Sequence, residues 1–484
     1  MQIEFDNTYA ELPDRFFARV HPEPAPAPAT IRVNAPLARR LGFDVDWLGS
    51  AQGAEFAVGN RILDGSDPIA MVYAGHQFGN WVPRLGDGRA LLLGEVVADD
   101  GTRFDVQLKG SGRTPFSRGG DGRSPLGPVL REYVVSEAMF ALGIPTSRSL
   151  VAAATGGRVR RGARLPGGVL VRVARSHVRI GTFEFFASQG DTEAIRALIA
   201  HVVERHDPEV DPGDPLGLLG AVADRQASLV AKWMSIGFIH GVMNTDNMLL
   251  SGETIDYGPC AFMNEYDPGT VYSSIDRTGR YAFGNQPPIA QWNISQLAGS
   301  LLRVLEINEE IVAEAQAIID HFPDRFRAAY LEEMSKKLGF AEPSEADWPL
   351  IEALLELMEQ TEADYTLTFR RLYELAADVD STLDWELPDG FSPWLERWRT
   401  RLEDEDDSSE AAERMRMANP AVIPRNHTVE AVIEAAVEHS DYEPFHQLVD
   451  ALARPYDAPT EADAKDLVRP PRPEERVVAT FCGT

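Results

Sequence analysis

The hydrophobic period of the chain changes once, and that change limits what the chain can fold into. Between about residues 68 and 175 the apolar residues mostly alternate as they do in strands, with one helix-spaced run among them. Residues 90–97 and 103–108 are predicted strands joined across the turn signal Asp99-Asp100-Gly101. Residues 129–141 are a predicted helix, stopped by Gly143 and Pro145. Residues 149–153 and 168–174 are two more strands with a glycine-rich hairpin between them. From about residue 180 the spacing turns helical, over 192–205, 216–236, 289–305, 309–322, 323–338, 348–377 and 429–437. One compact loop-rich stretch, 237–268, interrupts these helices. The expected fold class is therefore α+β. Residues 1–65 form an N-terminal extension with a Pro/Ala-rich link at Pro22 to Pro28, 66–180 a strand-rich small lobe, 181–400 a helical large lobe, and 401–484 a helical extension and tail. Residues 402–412 read as a solvated acidic hinge within that extension. There is no internal repeat and no heptad run.

Charge and cysteine content narrow the function. The 484 residues carry a formal net charge of −29, from 46 Lys plus Arg against 75 Asp plus Glu. Such acidity argues against a general nucleic-acid binder, which shows a basic face, and against a binder of anionic membranes. Two cysteines, Cys260 and Cys482, exclude a disulfide-dense scaffold and a cysteine-based zinc finger. No apolar run reaches the roughly 18 residues of a membrane span, and the N-terminus lacks the basic start and apolar core of a signal peptide. A soluble, cytoplasmic protein is expected. Only five of the 46 cations are lysines, and Lys109 is the only lysine among the first 231 residues. A lysine kept where arginine is the default marks a place for a compact, single-point ammonium, although a lysine at a strand end is also an ordinary surface residue.

Four segments carry candidate chemistry. Lys109 ends the strand-like run VQLKGSG, and the following helix offers Glu132 and Glu137 as partners. In LGDGR, Gly86 and Gly88 permit a tight turn whose N–H groups suit phosphate oxygens, and Arg89 adds charge; a plain hairpin turn has the same signature. A polar loop, GSGRTPFSRGGDGR, holds Arg113, Arg118 and Arg123 with a turn at Asp121 and Gly122, and a solvated loop is its bland reading. Arg172, Arg175 and Arg179 suit a cleft that takes a polyanion, whereas His177 reads as a packed histidine.

The fourth segment, HGVMNTDNMLLSGETIDYG over 240–258, is the most specific. His240 is followed seven residues on by Asn247, and a short hairpin then leads to Asp256-Tyr257-Gly258. That is the spacing of a protein-kinase catalytic loop and metal-binding turn, and the lobe order fits a bilobal protein-kinase-like fold. Asn247 and Asp256 supply two oxygen ligands for Mg²⁺ or Mn²⁺. The third position of the loop, where a kinase places its catalytic Asp, is Val242, which accepts no proton. Asp246 is either the base or a residue that orients a metal ligand. Three readings stay open: a conventional phosphotransferase, a kinase-shaped enzyme with other chemistry, and a non-catalytic nucleotide-sensing scaffold.

Taken together, YAGHQFG (73–79), LGDGRALLLGE (85–95), QLKGSG (107–112), Arg131-Glu132, EAMFALGIPT (137–146), 176–179 and 240–258 resemble the selenoprotein O family, called YdiU in bacteria. The resemblance covers residues 70–270, and length and helix content agree beyond them. It implies a pseudokinase-like protein adenylyltransferase that binds ATP in an inverted orientation and transfers AMP to Ser, Thr or Tyr hydroxyls of proteins. It implies that Lys109, paired with Glu132, holds phosphates. Gly86, Gly88, Arg89, Asp121, Gly122, Arg172, Arg179 and Asp256 would line the ATP site. Asn247 and Asp256 would bind the metal, and Asp246 would accept the proton. It also suggests a reversible Cys260–Cys482 disulfide through which redox partners act, with two separate thiols as the alternative.

Overall fold

The computed structural model describes residues 3–379, 385–405, 408–458 and 466–480, and one antiparallel sheet organises its first half. In chain order the strands are β1 (Phe17–Arg19), β2 (Ala29–Val33), β3 (Ile69–Met71), β4 (Gly75–Gln77), β5 (Asn80–Val82), β6 (Ala90–Val97), β7 (Arg103–Lys109), β8 (Ser124–Pro125), β9 (Arg148–Arg161) and β10 (Ala163–Ala174). The sheet runs β1-β3-β6-β7-β10-β9-β2, with β8 against β10; β4 and β5 form a separate hairpin. The expected strands at 90–97 and 103–108 are present, and the second extends to Lys109. Those expected at 149–153 and 168–174 are the inner parts of much longer strands. Backbone pairing continues from them through the glycine-rich stretch to a turn at Gly162, with register shifts at Pro166/Gly168 and Val171/Arg172. The N-terminal extension is stitched into the sheet at both edges: β1 pairs with β3, and β2 pairs with β9.

Side-chain alternation gives the sheet two unlike faces. Val106 and Leu108 of β7, with Val169, Val171 and Val173 of β10, pack on one side against the N-terminal Leu37, Leu48 and Phe56. On β7 the alternate residues Asp105, Gln107 and Lys109 therefore share the opposite face. They are buried and polar, and Arg172 of β10 hydrogen-bonds Gln107 there. The helix Leu126–Ala141 crosses this side. Its Leu130, Tyr133 and Val134 pack with Val429, Phe445 and Leu448 of two C-terminal helices, Asn426–His439 and Glu443–Leu452.

The second half is helical, and it differs from the sequence reading in three places. The expected continuous helix over 348–377 is two, Trp348–Gln360 and Tyr365–Ala377. Glu362 takes a left-handed backbone between them, and Asp364 caps the second helix while its carboxylate pairs with buried Arg425, 2.8 Å away. The acidic stretch 402–412 is not a solvated hinge in the described residues. Glu405 pairs with Arg401 and Arg414, and the helix Ser408–Ala418 begins inside the stretch and buries Ala411. Three further helices were not expected: Ile180–Gln189, Ser392–Leu402 and Glu443–Leu452, although the last shows a clear helical spacing, with Phe445, Leu448, Val449 and Leu452 buried. Among the described residues no helix is long and apolar enough to cross a membrane.

Candidate active site

Between the polar face of the sheet and the loop-rich stretch lies a cleft of about 640 Å³. Gly86, Gly88, Arg89, Lys109, Asp121, Gly122, Glu132, Arg172, Arg179, Asp246, Asn247 and Asp256 all line it, although they come from nine separate points along the chain. Arg118 and Arg123 line it too. Arg175 does not; it is exposed, and its backbone is what is held, the N–H by Glu253 and the carbonyl by Arg205.

A knot of ion pairs closes the inner end. Lys109 Nζ lies 2.6 Å from Glu132 Oε2 and 2.6 Å from Asp256 Oδ1. Arg172 reaches the same two carboxylates, at 3.1 Å and 2.7 Å, and its other nitrogens donate to Gln107. Arg179 donates to Asp256 Oδ2 at 3.0 Å and to the backbone oxygen of Asp246 at 2.6 Å, with its guanidinium over the Tyr73 ring. Burial opposes ionisation of Asp256, but Lys109, Arg172 and Arg179 outweigh it and hold the carboxyl well below the usual carboxylate range. Asp256 has φ +63°, a backbone that a side-chain-bearing residue rarely adopts; three cations on its carboxylate compensate.

Asp246 has the opposite environment. It is buried, and burial pushes its carboxyl up to about 6 despite Arg179. One oxygen, Oδ2, accepts from Gln77 Nε2 at 3.2 Å; the other, Oδ1, is buried and meets no hydrogen-bond partner among the described residues. The adjoining Asn247 turns its amide nitrogen to the carbonyl of Val242, 2.9 Å away, so Val242 contributes its backbone where a kinase loop contributes a carboxylate. His240 is structural. Burial lowers it to about 4, so it is neutral near pH 7, and its Nε2 donates to Ile255 O at 2.9 Å, tying the loop to the residue before Asp256. His177 is likewise packed, with Asp105 3.0 Å from Nδ1.

The glycines of the loops serve packing as well as any ligand. A Cβ on Gly86 would stand 2.4 Å from the Phe116 ring, and one on Gly88 2.8 Å from Phe116 O. The 110–123 loop is thus laid directly on the 85–89 turn. Asp121 is clamped by Arg161, which pulls its carboxyl down to about 2, so the one acid in that loop is already neutralised.

Several contributors escape a reading by residue type. Gln77, at the end of β4, holds Asp246. The next residue donates its N–H to Asn244 Oδ1 at 3.0 Å, which also accepts from Tyr281 Oη. His76 N–H reaches Thr245 Oγ1 at 2.8 Å. The YAGHQFG segment is therefore a strap across the loop that carries Asp246. Its two glycines and its lack of strand or helix period were the available signal. A Cβ on Gly75 would come within 2.5 Å of Asp246 Oδ1.

Among the described residues no three His, Cys, Asp or Glu side chains gather into a metal-binding group. Cys260 is buried. Thr480 reaches back to the neighbouring Pro259 O at 2.7 Å and pairs with Ser273. Cys482, and with it the suggested disulfide, lies outside the described residues.

Comparison with known proteins matches residues 1–453 to the family described as protein adenylyltransferase SelO. Similar curated proteins are each named protein nucleotidyltransferase YdiU. The one from Rhodopseudomonas palustris (strain BisB5) is 56% identical over 494 residues, covering 100% of both chains. That of Bradyrhizobium sp. (strain BTAi1 / ATCC BAA-1182) is 55% identical over 491 residues, again with full coverage of both. That of Rhizobium rhizogenes (strain K84 / ATCC BAA-868) is 53% identical and covers 100% of this chain and 97% of its own.

Proposed function

The chain belongs to the protein adenylyltransferase SelO family, and from that premise we propose how its cleft moves AMP from ATP to a Ser, Thr or Tyr hydroxyl of a protein. The observation that carries the reading is the division of labour between two buried carboxylates. Asp256 has both oxygens engaged by cations, whereas Asp246 keeps one oxygen unengaged and a raised proton affinity. Asp246 is thus the group that accepts the proton of the incoming hydroxyl, and Asp256 is a fixed charge.

In this reading the triphosphate lies toward Lys109, Arg172 and Arg179, inverted relative to a kinase. The cluster of cations at the inner end supports that direction: Lys109, Arg172 and Arg179 gather there, paired with Glu132, Asp256 and, 3.8 Å from Arg179, Asp87. Arg89 and Arg118 line the cleft, make no ion pair with another described residue and are available to further phosphate oxygens. The hydroxyl oxygen bonds to the α-phosphorus as the bond to the bridging oxygen breaks. Pyrophosphate leaves with that electron pair, and Asp246 takes the proton.

The donor set fits a hard divalent cation that arrives with the nucleotide. Asn247 and Asp256 offer one amide oxygen and one carboxylate, which suits Mg²⁺ or Mn²⁺ completed by phosphate oxygens and water, and no all-protein cage is present among the described residues. When bound, the ion would neutralise charge on the phosphates. Incubation of the protein and an acceptor with ATP labelled on the α- or, separately, the γ-phosphate tests the reading. Label must enter protein from the α position only, and Asp246→Ala must keep ATP binding while losing transfer. Label from the γ position would show a phosphotransferase instead.

A further inference from the structure

From residue 138 to residue 183 the sequence contains eight arginines and neither Asp nor Glu, in a chain of net charge −29. The fold gathers part of this run at one place. The outer end of the β9–β10 hairpin carries Arg158, Arg160 and Arg164, all exposed. Arg161, the last residue of β9, fixes this end to the 110–123 loop, through paired contacts of 2.8 and 2.9 Å to Asp121 and a 2.8 Å bond to Arg123 O. That loop adds exposed Arg113 and Arg118, the latter on the cleft wall.

The nearby carboxylates are already committed. Asp121 is held by Arg161, and Glu23 by Arg123 at 3.3 Å. Arg113, Arg118, Arg160 and Arg164 make no side-chain hydrogen bond or ion pair with another described residue. Arg158 makes only a 2.8 Å bond to the carbonyl of Arg164. Five exposed guanidiniums thus lack a counter-ion among the described residues, on a loop and a hairpin end that reach the cleft wall through Arg118 and Arg161, in a molecule whose general field repels anions.

We propose that this face docks an acidic segment of the acceptor protein, one whose Asp or Glu residues flank the hydroxyl to be modified. The inference rests on the adenylyl-transfer reading above for the identity of the acceptor. Planar guanidiniums pair with carboxylates bidentately, so such a segment would be held in register as well as attracted. Charges more than about 8 Å from the patch are screened at physiological salt, so a short acidic stretch gains the attraction without the repulsion of the whole. A long nucleic acid would extend onto the acidic remainder and is disfavoured.

Binding measured without ATP separates this proposal from the chemistry. The full chain is titrated, by fluorescence anisotropy, into a labelled 12-residue peptide with one Tyr among Glu residues, the same peptide with Lys for Glu, and a 12-nucleotide oligouridine. The Glu peptide should bind at least tenfold more tightly than the Lys peptide, and more tightly than the RNA, with affinity falling as salt rises. Arg113→Gln/Arg160→Gln/Arg164→Gln should lose most of that affinity, while Arg397→Gln/Arg399→Gln, exposed on the helix Ser392–Leu402, should keep it. A triple variant that binds like the parent, or tighter binding of the RNA, overturns the proposal. In the transfer assay the triple variant should raise KM for an acidic acceptor and leave kcat unchanged. If the Glu peptide binds as stated but no AMP is transferred, the docking surface stands and the assigned chemistry falls.

Discussion

Asp246 and Asp256 sit ten residues apart in sequence and are driven in opposite directions by what surrounds them. Burial dominates Asp246, whereas three cations dominate Asp256. The Asp246 carboxyl is about 6 in the fold against 3.8 for a free side chain, so the native state favours its protonated form. That contribution is complete below pH 3.8 and is lost as pH rises toward 6. Asp246→Asn should therefore be more stable than the parent at pH 7.5, by of the order of 3 kcal/mol, with the gain shrinking toward pH 4. Urea unfolding at the two pH values measures it, and equal gains at both would show that burial does not set the carboxyl. Activity has the reverse sign, because the base must be ionised: kcat should climb through about pH 6. Gln77→Leu removes a hydrogen bond that favours the carboxylate, so it should move that acid limb upward and lower kcat at pH 7 several-fold. A kcat–pH profile unmoved by the substitution would reduce Gln77 to a packing residue.

The short hairpin of β4 and β5 does for the site what its size would not suggest. It stands off the main sheet, and its backbone and side chains grip three consecutive residues, Asn244, Thr245 and Asp246. Gly75 allows this approach, since any Cβ there would meet the Asp246 carboxylate. Gly75→Ala should thus reduce AMP transfer at least tenfold and leave ATP affinity within about twofold of the parent. Equilibrium nucleotide binding and transfer rates on the same preparation check the split. The strap was visible in the sequence only as a motif without period, whereas β6 and β7 were legible to within a residue from their strand-like runs and the turn signal between them. β9 and β10 fall between these cases: apolar alternation marked their inner halves, and the glycine-rich halves became strand because each had the other to pair with.

At the scale of the whole molecule, the C-terminal helices hold the site from behind. Arg131, next to Glu132 on the helix Leu126–Ala141, pairs with Glu430 and donates to Asn426 Oδ1 at 3.3 Å, and the helix buries its apolar side against Val429, Phe445 and Leu448. Glu132 in turn holds Lys109 and Arg172. Arg131→Ala, which leaves every cleft-facing carboxylate in place, should weaken ATP binding several-fold and lower the melting temperature; calorimetric titration with ATP tests it, and an unchanged affinity would show that the helix holds its position unaided. The sequence by itself determined the α+β class, the strand-to-helix order and a set of candidate residues that converge on one cleft. Period and spacing are local properties, and the candidate motifs each occupy a short stretch of chain. Only the tertiary structure decided that residues 29–33 close one edge of the sheet, that residues 348–377 break at an Asp364–Arg425 ion pair, and that Gln77 reaches Asp246. Those contacts join residues from tens to more than a hundred positions apart, and no pattern within either segment records the other. The same holds for the acidities. Two aspartates in one loop-rich stretch look alike in the sequence, and only the burial of one and the three cations around the other set them apart.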